Sequence, residues 1–327
     1  MLAFEDYVCV ELMVNWGGVE EGVAEGEATA GEIFCATMAL TSSFSSIHSL
    51  SLVKLNQHST IRRPNALPMV TCNSLLDNSA LLQAAKHTVD SYVENGMVIG
   101  LGSGRASGLA IQYLGRQLQS GLIKDIVGIP TSVGSASEAS KVGIPLDQYG
   151  DSSKIDFAFN DADVIEEETL AAVIGRQTMQ GGESLIQEKT VLKAAGKLVF
   201  IVTGKQYQGA VDGSIPVLIR SINWLETAEE IDDLFLGDAE VWRRPSVGYA
   251  SPLGGDFPLV TKEGHNVLDV IFTSPIISLA EVADSLDQVD GVVEHGVISR
   301  IPCTAVIATE DRLRIVDNTL KIDGSRV

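Results

Sequence analysis

Cysteine is scarce: there are four in 327 residues, and Cys9, Cys35 and Cys72 all fall in the first 72 positions. Cys303 is left alone in the rest of the chain, which excludes a disulfide framework and any Cys/His metal spacing. A lone cysteine in an apolar stretch reads as a small core residue. Long apolar runs are also missing, since nothing approaches the roughly 18–20 residues that a membrane span requires. Nor is there a basic cluster able to neutralise phosphates, and the formal net charge is −20. Nucleic acid and membrane are therefore excluded as expected partners.

Residues 1–37 lack Lys and Arg altogether while carrying eight acids, Glu5, Asp6, Glu11, Glu20, Glu21, Glu25, Glu27 and Glu32. From Met38 the character reverses: MALTSSFSSIHSLSLVKLNQHSTIRRPNALPMVTCNS holds Lys54, Arg62 and Arg63, many serines and no acid before Asp77. Hydroxylated, basic and acid-poor, it has the composition of an organelle transit peptide, read here as plastid-directed with mitochondrial import as the alternative. A Ser-rich tail carrying no address is the plainer reading. The acidic prefix is either a real leader or translated upstream sequence with the start at Met38, and the second reading leaves the targeting signal intact. Residues 1–75 are expected to lie outside the folded body. Of the −20, −8 lies in residues 1–37 and +3 in 38–75, which leaves −15 for the body.

From Asn78 onward helical and strand patterns alternate. SALLQAAKHTVDSYVEN (79–95) spaces its apolar residues as one helix face behind an Asn78 or Ser79 cap. MVIGLG is a short buried strand, and SGLAIQYLGRQLQSG (107–121) a helix ended by Gly121. IVGIPTS, SASEASKVG, IDFAFND, LIQEKTVLKAAG and KLVFIVTGK continue the rhythm as strand, helix, strand, helix and strand, the last ending at Lys205. The fold class is α/β, a doubly wound, mostly parallel Rossmann-like sheet whose strand C-termini form the site. A second, smaller α+β domain follows from IPVLIRSINWLETAEEIDDLF, VWRRP, antiparallel strands around a Lys262–Asn266 turn, and the helix ISLAEVADSLDQVDG. GVVEHGVIS and CTAVIATEDRLRIV return to strand character and are expected to rejoin the first sheet. The expected domains are 76–212 plus 291–327, and 213–290.

The turn Gly100-Leu101-Gly102-Ser103-Gly104-Arg105-Ala106-Ser107-Gly108 links a strand to a helix, where exposed backbone N–H groups bind phosphate. A dinucleotide fingerprint is excluded, because it needs glycine where Arg105 or Ser107 stands and an acid after the next strand. Glu166-Glu167-Glu168 reads as three acids opening the helix TLAAVI, favourable to its dipole, rather than as a metal site. His295 reads as a structural residue beside the sheet.

Taken in order, GMVIGLGSG, DIVGIPTS, VGIPLDQ, IDFAFNDAD, the Gln187-Glu188-Lys189 helix, LVFIVTGK and GVVEHG resemble the type A ribose-5-phosphate isomerase family over residues 79–316. The resemblance implies a cofactor-free, metal-free aldose–ketose isomerase that interconverts ribose 5-phosphate and ribulose 5-phosphate as a homo-oligomer, dimeric or tetrameric. Its partner would be a phosphorylated pentose, and its place the pentose phosphate pathway or Calvin cycle of the chloroplast stroma. It further implies Glu188 as the base that moves a proton between C2 and C1, and Asp163 as the carrier of hydroxyl protons. Ser103, Gly104, Arg105, Ala106 and Lys205 would hold phosphate, Asn160, Asp161 and Ala162 would line the sugar site, and Gly181 and Gly182 would present N–H donors to the enediolate oxygen.

Several positions depart from the family pattern. Its G-T-G-S-T loop reads Gly102-Ser103-Gly104-Arg105-Ala106 here, exchanging two hydroxyls for a guanidinium. Its D-G-A-D-E reads Asn160-Asp161-Ala162-Asp163-Val164, with an amide for the first acid and Asp161 for glycine. The lysine of its K-G-x-G-G turn falls on Met179 or on Ile174, depending on where an insertion is placed, and Arg176 is near enough in sequence to compensate. Losing one oxyanion stabiliser typically costs about 10²–10³ in rate. A catalytically weakened or inactive family member, binding a sugar phosphate or pairing with an active paralogue, is the alternative reading.

Overall fold

The computed structural model describes residues 73–150, 154–176, 184–246, 257–310 and 312–318, all within the compact unit Ala66–Val327. Met179, Gly181, Gly182 and the three early cysteines lie outside the described residues.

Five strands, β1 (Val98–Leu101), β2 (Val127–Pro130), β3 (Phe157–Asn160), β6 (Leu198–Thr203) and β13 (Cys303–Ala308), run parallel in one sheet, and β14 (Leu313–Asp317) closes it antiparallel to β13. The spatial order is β14-β13-β6-β3-β1-β2. These strands are short and apolar because both sheet faces are covered. Period-two alternation divides each strand between two cores. Phe157, Phe159, Val199, Ile201 and Val306 pack toward Ala84, Val89, Ala110 and Leu114 of α1 (Asn73–Tyr92) and α2 (Arg105–Gln119). Ala158, Phe200, Val202 and Ala305 face Leu185, Val191 and Leu192 of α4 (Leu185–Ala194). Helix α3 (Val133–Lys141) starts at a reciprocal cap in which Ser132 Oγ accepts from Ser135 N and Ser135 Oγ accepts from Ser132 N. Cys303 is buried, and loss of water pushes its thiol up to about 12. It packs as the core residue its composition foretold.

A second sheet, ordered β11-β8-β10-β9, is antiparallel and made of β8 (Val211–Arg220), β9 (Ala239–Arg243), β10 (His265–Ile276) and β11 (Val292–His295). Ile215, Val217, Ile219, Leu268 and Val270 pack with Ile231 of α5 (Trp224–Leu234) and with Leu279, Ala283 and Leu286 of α6 (Leu279–Leu286). On the other face Leu218 and Val267 join the core beneath α4. A third sheet is ordered β12-β5-β4-β7, from β12 (Val297–Ile298), β5 (Ala172–Val173), β4 (Val164–Glu166) and β7 (Tyr207–Gln208).

The structure corrects several sequence expectations. Helix α1 begins at Asn73, ahead of the expected Asn78 or Ser79 cap and inside the segment expected to stay unfolded. Glu166–Glu168 do not open a helix: Glu166 ends β4, and the chain turns back so that Val164 pairs with Val173 and Ile165 with Ala172. A short apolar run such as TLAAVI fits a buried strand as well as a helix, and the neighbouring Val164-Ile165 decides in favour of strand. GVVEH does not rejoin the first sheet, because β11 finds its hydrogen-bond partner in β8. Lys205 lies in the turn after β6 rather than in the strand.

Candidate active site

Helix α4 precedes β6 and runs antiparallel to it, so its first turn lies at the carboxyl edge of the parallel strands, where loops gather. Ser184 Oγ accepts from Gln187 N at 3.1 Å and fixes the start of the helix. Glu188 follows within that first turn. Its Oε1 accepts from Ser103 Oγ at 2.5 Å and from Asn160 Nδ2 at 2.8 Å. Asn160 Oδ1 in turn accepts from Ser103 N at 2.8 Å. Three segments distant in sequence thus meet at one carboxylate. Gly102 makes the arrangement possible, since a Cβ there would lie 2.2 Å from Phe159 O and 2.6 Å from Asn160 Cα.

Asn160 is fully buried. Asn160→Asp would set a second carboxylate against Glu188, and two such groups share a proton. The acid limb of the pH–rate profile, read from pH 5 to 9, is then expected to move up by about one unit. A purely structural role for Asn160 would leave the limb in place.

Asp161 faces the start of α2. Oδ2 accepts from Ala106 N at 2.8 Å, and Oδ1 accepts from Ser107 N at 2.6 Å and Ser107 Oγ at 2.7 Å. Burial pushes its carboxyl up to about 6, against the opposing pull of these donors. The glycine-rich loop expected to hold phosphate therefore already holds an internal carboxylate. Arg105 is exposed.

Asp163 has other partners: Oδ2 accepts from Arg176 N at 2.8 Å, and burial raises its carboxyl although the amide and guanidinium of Arg176 and the charge of Arg244 oppose this. The Arg176 guanidinium donates to the carbonyls of Ser214 and Asp212, both at 2.6 Å. Both bonds tie it to β8. Ile174 is buried in the core with Leu185, so a lysine there would be a desolvated charge. Lys205 lines a shallow cleft of about 190 Å³ with Ala80, Thr309 and Glu310. Ala162 is buried, and its carbonyl accepts from Gln206 Nε2 at 2.5 Å.

Three features escaped the sequence reading. Gln206 Oε1 also accepts from Thr203 N at 2.8 Å, so one side chain joins the loops after β3 and β6. Lys262 Nζ donates to Gln187 Oε1 at 2.8 Å beside a cavity of about 520 Å³ on the flank of α4, which Ser132, Asp147 and Tyr149 also line. Buried Lys189, next to Glu188, pairs with Glu294 and donates to His295 O at 2.7 Å. Burial lowers Lys189 to about 8. Burial and the Lys189 charge lower His295 to about 4. Neutral His295 accepts from Val297 N through Nδ1 at 3.2 Å and turns Nε2 to Asp287 at 3.2 Å. A Lys beside a Glu on a helix looks like any solvated pair; the partner arrives from 105 positions away.

Comparison with known proteins gives a consistent result. The family model for ribose 5-phosphate isomerase A (phosphoriboisomerase A) matches residues 127–312. Ribose-5-phosphate isomerase A of Gluconobacter oxydans is 34% identical over 230 residues, 70% of this chain and 92% of that protein. Arabidopsis thaliana probable ribose-5-phosphate isomerase 3, chloroplastic, is 30% identical over 71% of this chain and 81% of that protein. A D-ribose-5-phosphate isomerase solved in complex with phospho-erythronic acid superposes with a TM-score of 0.64 at 26% identity, covering 73% of this chain and 98% of that one. With the α/β fold and a carboxylate held at the sheet edge, this matched span shows that the chain belongs to the ribose 5-phosphate isomerase A family.

Proposed function

We propose that the chain interconverts D-ribose 5-phosphate and D-ribulose 5-phosphate, with Glu188 as the base. The observation that carries the reading is the Glu188 carboxylate, immobilised through Oε1 by Ser103 and Asn160. A base whose carboxylate is fixed by two donors keeps its orientation, which is what proton transfer from a bound sugar requires. Glu188 takes the proton from C2 of the open-chain aldose while a proton carried by Asp163 goes to O1, giving a C1–C2 enediol; Glu188 then returns its proton to C1 as the C2 hydroxyl gives its proton back to Asp163 and becomes the ketone. Asp163 carries hydroxyl protons in this reading, supported by the burial that raises its carboxyl. The phospho-erythronic acid bound by a structural neighbour supports a phosphorylated sugar as ligand.

A second reading is favoured by the Asp161 carboxylate in the α2 loop and by the engagement of Arg176 with β8. It is a weakened or inactive member that binds a sugar phosphate or pairs with an active paralogue. A coupled assay of the full chain with ribose 5-phosphate separates the two: measurable turnover that survives repurification supports the isomerase, and none at micromolar enzyme supports the second. Plastid localisation is proposed on the transit-like composition from Met38 and the chloroplastic Arabidopsis relative. The pathway and a dimeric or tetrameric assembly are proposed on family membership.

A further inference from the structure

We propose that Asp161 is an intramolecular competitor for the substrate's phosphate, occupying the amide cradle at the start of α2 that the anionic end of a sugar phosphate would otherwise fill. The inference rests on the phosphosugar reading above. Both carboxylate oxygens are engaged, Oδ2 by Ala106 N and Oδ1 by Ser107 N and Ser107 Oγ, at 2.6–2.8 Å. The group also lies directly over Gly104: a Cβ on that residue would come within 2.5 Å of Asp161 Cγ. Gly104 has φ 108°, so its backbone is shaped around the carboxylate in a conformation that side-chain-bearing residues rarely adopt. Donors and space are thus both taken.

A ligand phosphate and this carboxylate cannot share the cradle, because two anions within about 4 Å repel and compete for the same N–H groups. Among the described residues, no opposite charge holds Asp161 in place. Its partners on α2 are uncharged donors, Arg105 among them only through its backbone, and on α4 the nearby Glu188 is committed to Ser103 and Asn160. The carboxylate is therefore displaceable. Protonation turns it into a poorer acceptor, so the cradle opens to anions as the pH falls through about 6.

The test is sulfate binding to the full chain, followed by calorimetry and thermal shift at pH 5 and pH 8, since sulfate keeps its charge across that range and phosphate does not. If the cradle is blocked about nine-tenths of the time at pH 8, wild-type affinity is reduced about tenfold. Asp161→Gly is expected to bind sulfate about tenfold more tightly than wild type at pH 8 and to lose the wild-type gain on acidification. Asp161→Asn keeps an acceptor for the cap and loses the charge, so it should show the same loss of pH dependence even if the glycine variant fails to fold. Equal sulfate affinity in wild type and Asp161→Asn at pH 8, with the same pH dependence, overturns the proposal. Turnover of ribose 5-phosphate measured on the same samples keeps the two readings apart. Absence of turnover with the sulfate result intact counts against the isomerase alone, and fast turnover with equal sulfate affinities counts against the competitor alone.

Discussion

Glu188→Gln is expected to lower kcat for ribose 5-phosphate by about 10³ or more while leaving the thermal midpoint nearly unchanged. Glutamine keeps the length of the side chain and an oxygen able to accept from Ser103 Oγ and Asn160 Nδ2, as Glu188 Oε1 does. What it loses is the capacity to take a proton. Since the proposed reaction cannot proceed without moving a proton from C2 to C1, transfer of hydroxyl protons offers no bypass. The measurement is kcat in a coupled assay beside a melting curve. A loss of less than about tenfold would place the base elsewhere in the site, and a large drop in the midpoint would show that the carboxylate is needed for folding.

The largest effect on stability is expected from Lys189→Met. Lys189 is 2% exposed and pairs with Glu294, whose carboxyl the Lys189 charge holds below its ordinary value although burial opposes this. Breaking a buried pair costs about 3–5 kcal/mol, and the lower end is expected here because Lys193 Nζ, 3.5 Å from the other Glu294 oxygen, keeps a cation beside the carboxylate. Across a unit of this size each kcal/mol moves the melting midpoint by about 2–4 °C. The pair also clamps α4 to β11 one residue from the base, so activity should fall along with stability. Urea unfolding of the single variant and of Lys189→Met with Glu294→Gln checks the cause: the double variant should recover much of the loss, because no charge is left unpaired. If it unfolds as easily as the single variant, the clamp acts through packing and not through charge.

The glycine-rich turn, the parallel sheet and the placement of Glu188 on a helix between β3 and β6 were all readable along the chain. Apolar runs bounded by glycines specify buried strands, and alternation with amphipathic segments specifies their parallel pairing. Cys303 as a core residue was readable for the same reason. The second sheet's strands and helices were readable too, but the membership of β11 was not, because GVVEH carries no mark of which edge it will meet. TLAAVI illustrates a different limit: its pattern suits either period, and a two-residue pairing with Val164-Ile165 settles the choice.

The sequence by itself determined the composition of the cores and the order of elements, because periodicity and punctuation are local properties of the chain; Glu188 as candidate base came from the family resemblance of its motif. Only the tertiary structure decided what each polar group does. It turned Asp161 into the occupant of the loop expected to hold phosphate, tied Arg176 to β8, buried Lys189 against Glu294, and made Ser103 and Asn160 the holders of Glu188. Hydrogen bonds and ion pairs reach only a few ångströms, and their partners here lie tens of positions or more apart, so no spacing along the chain could have announced them.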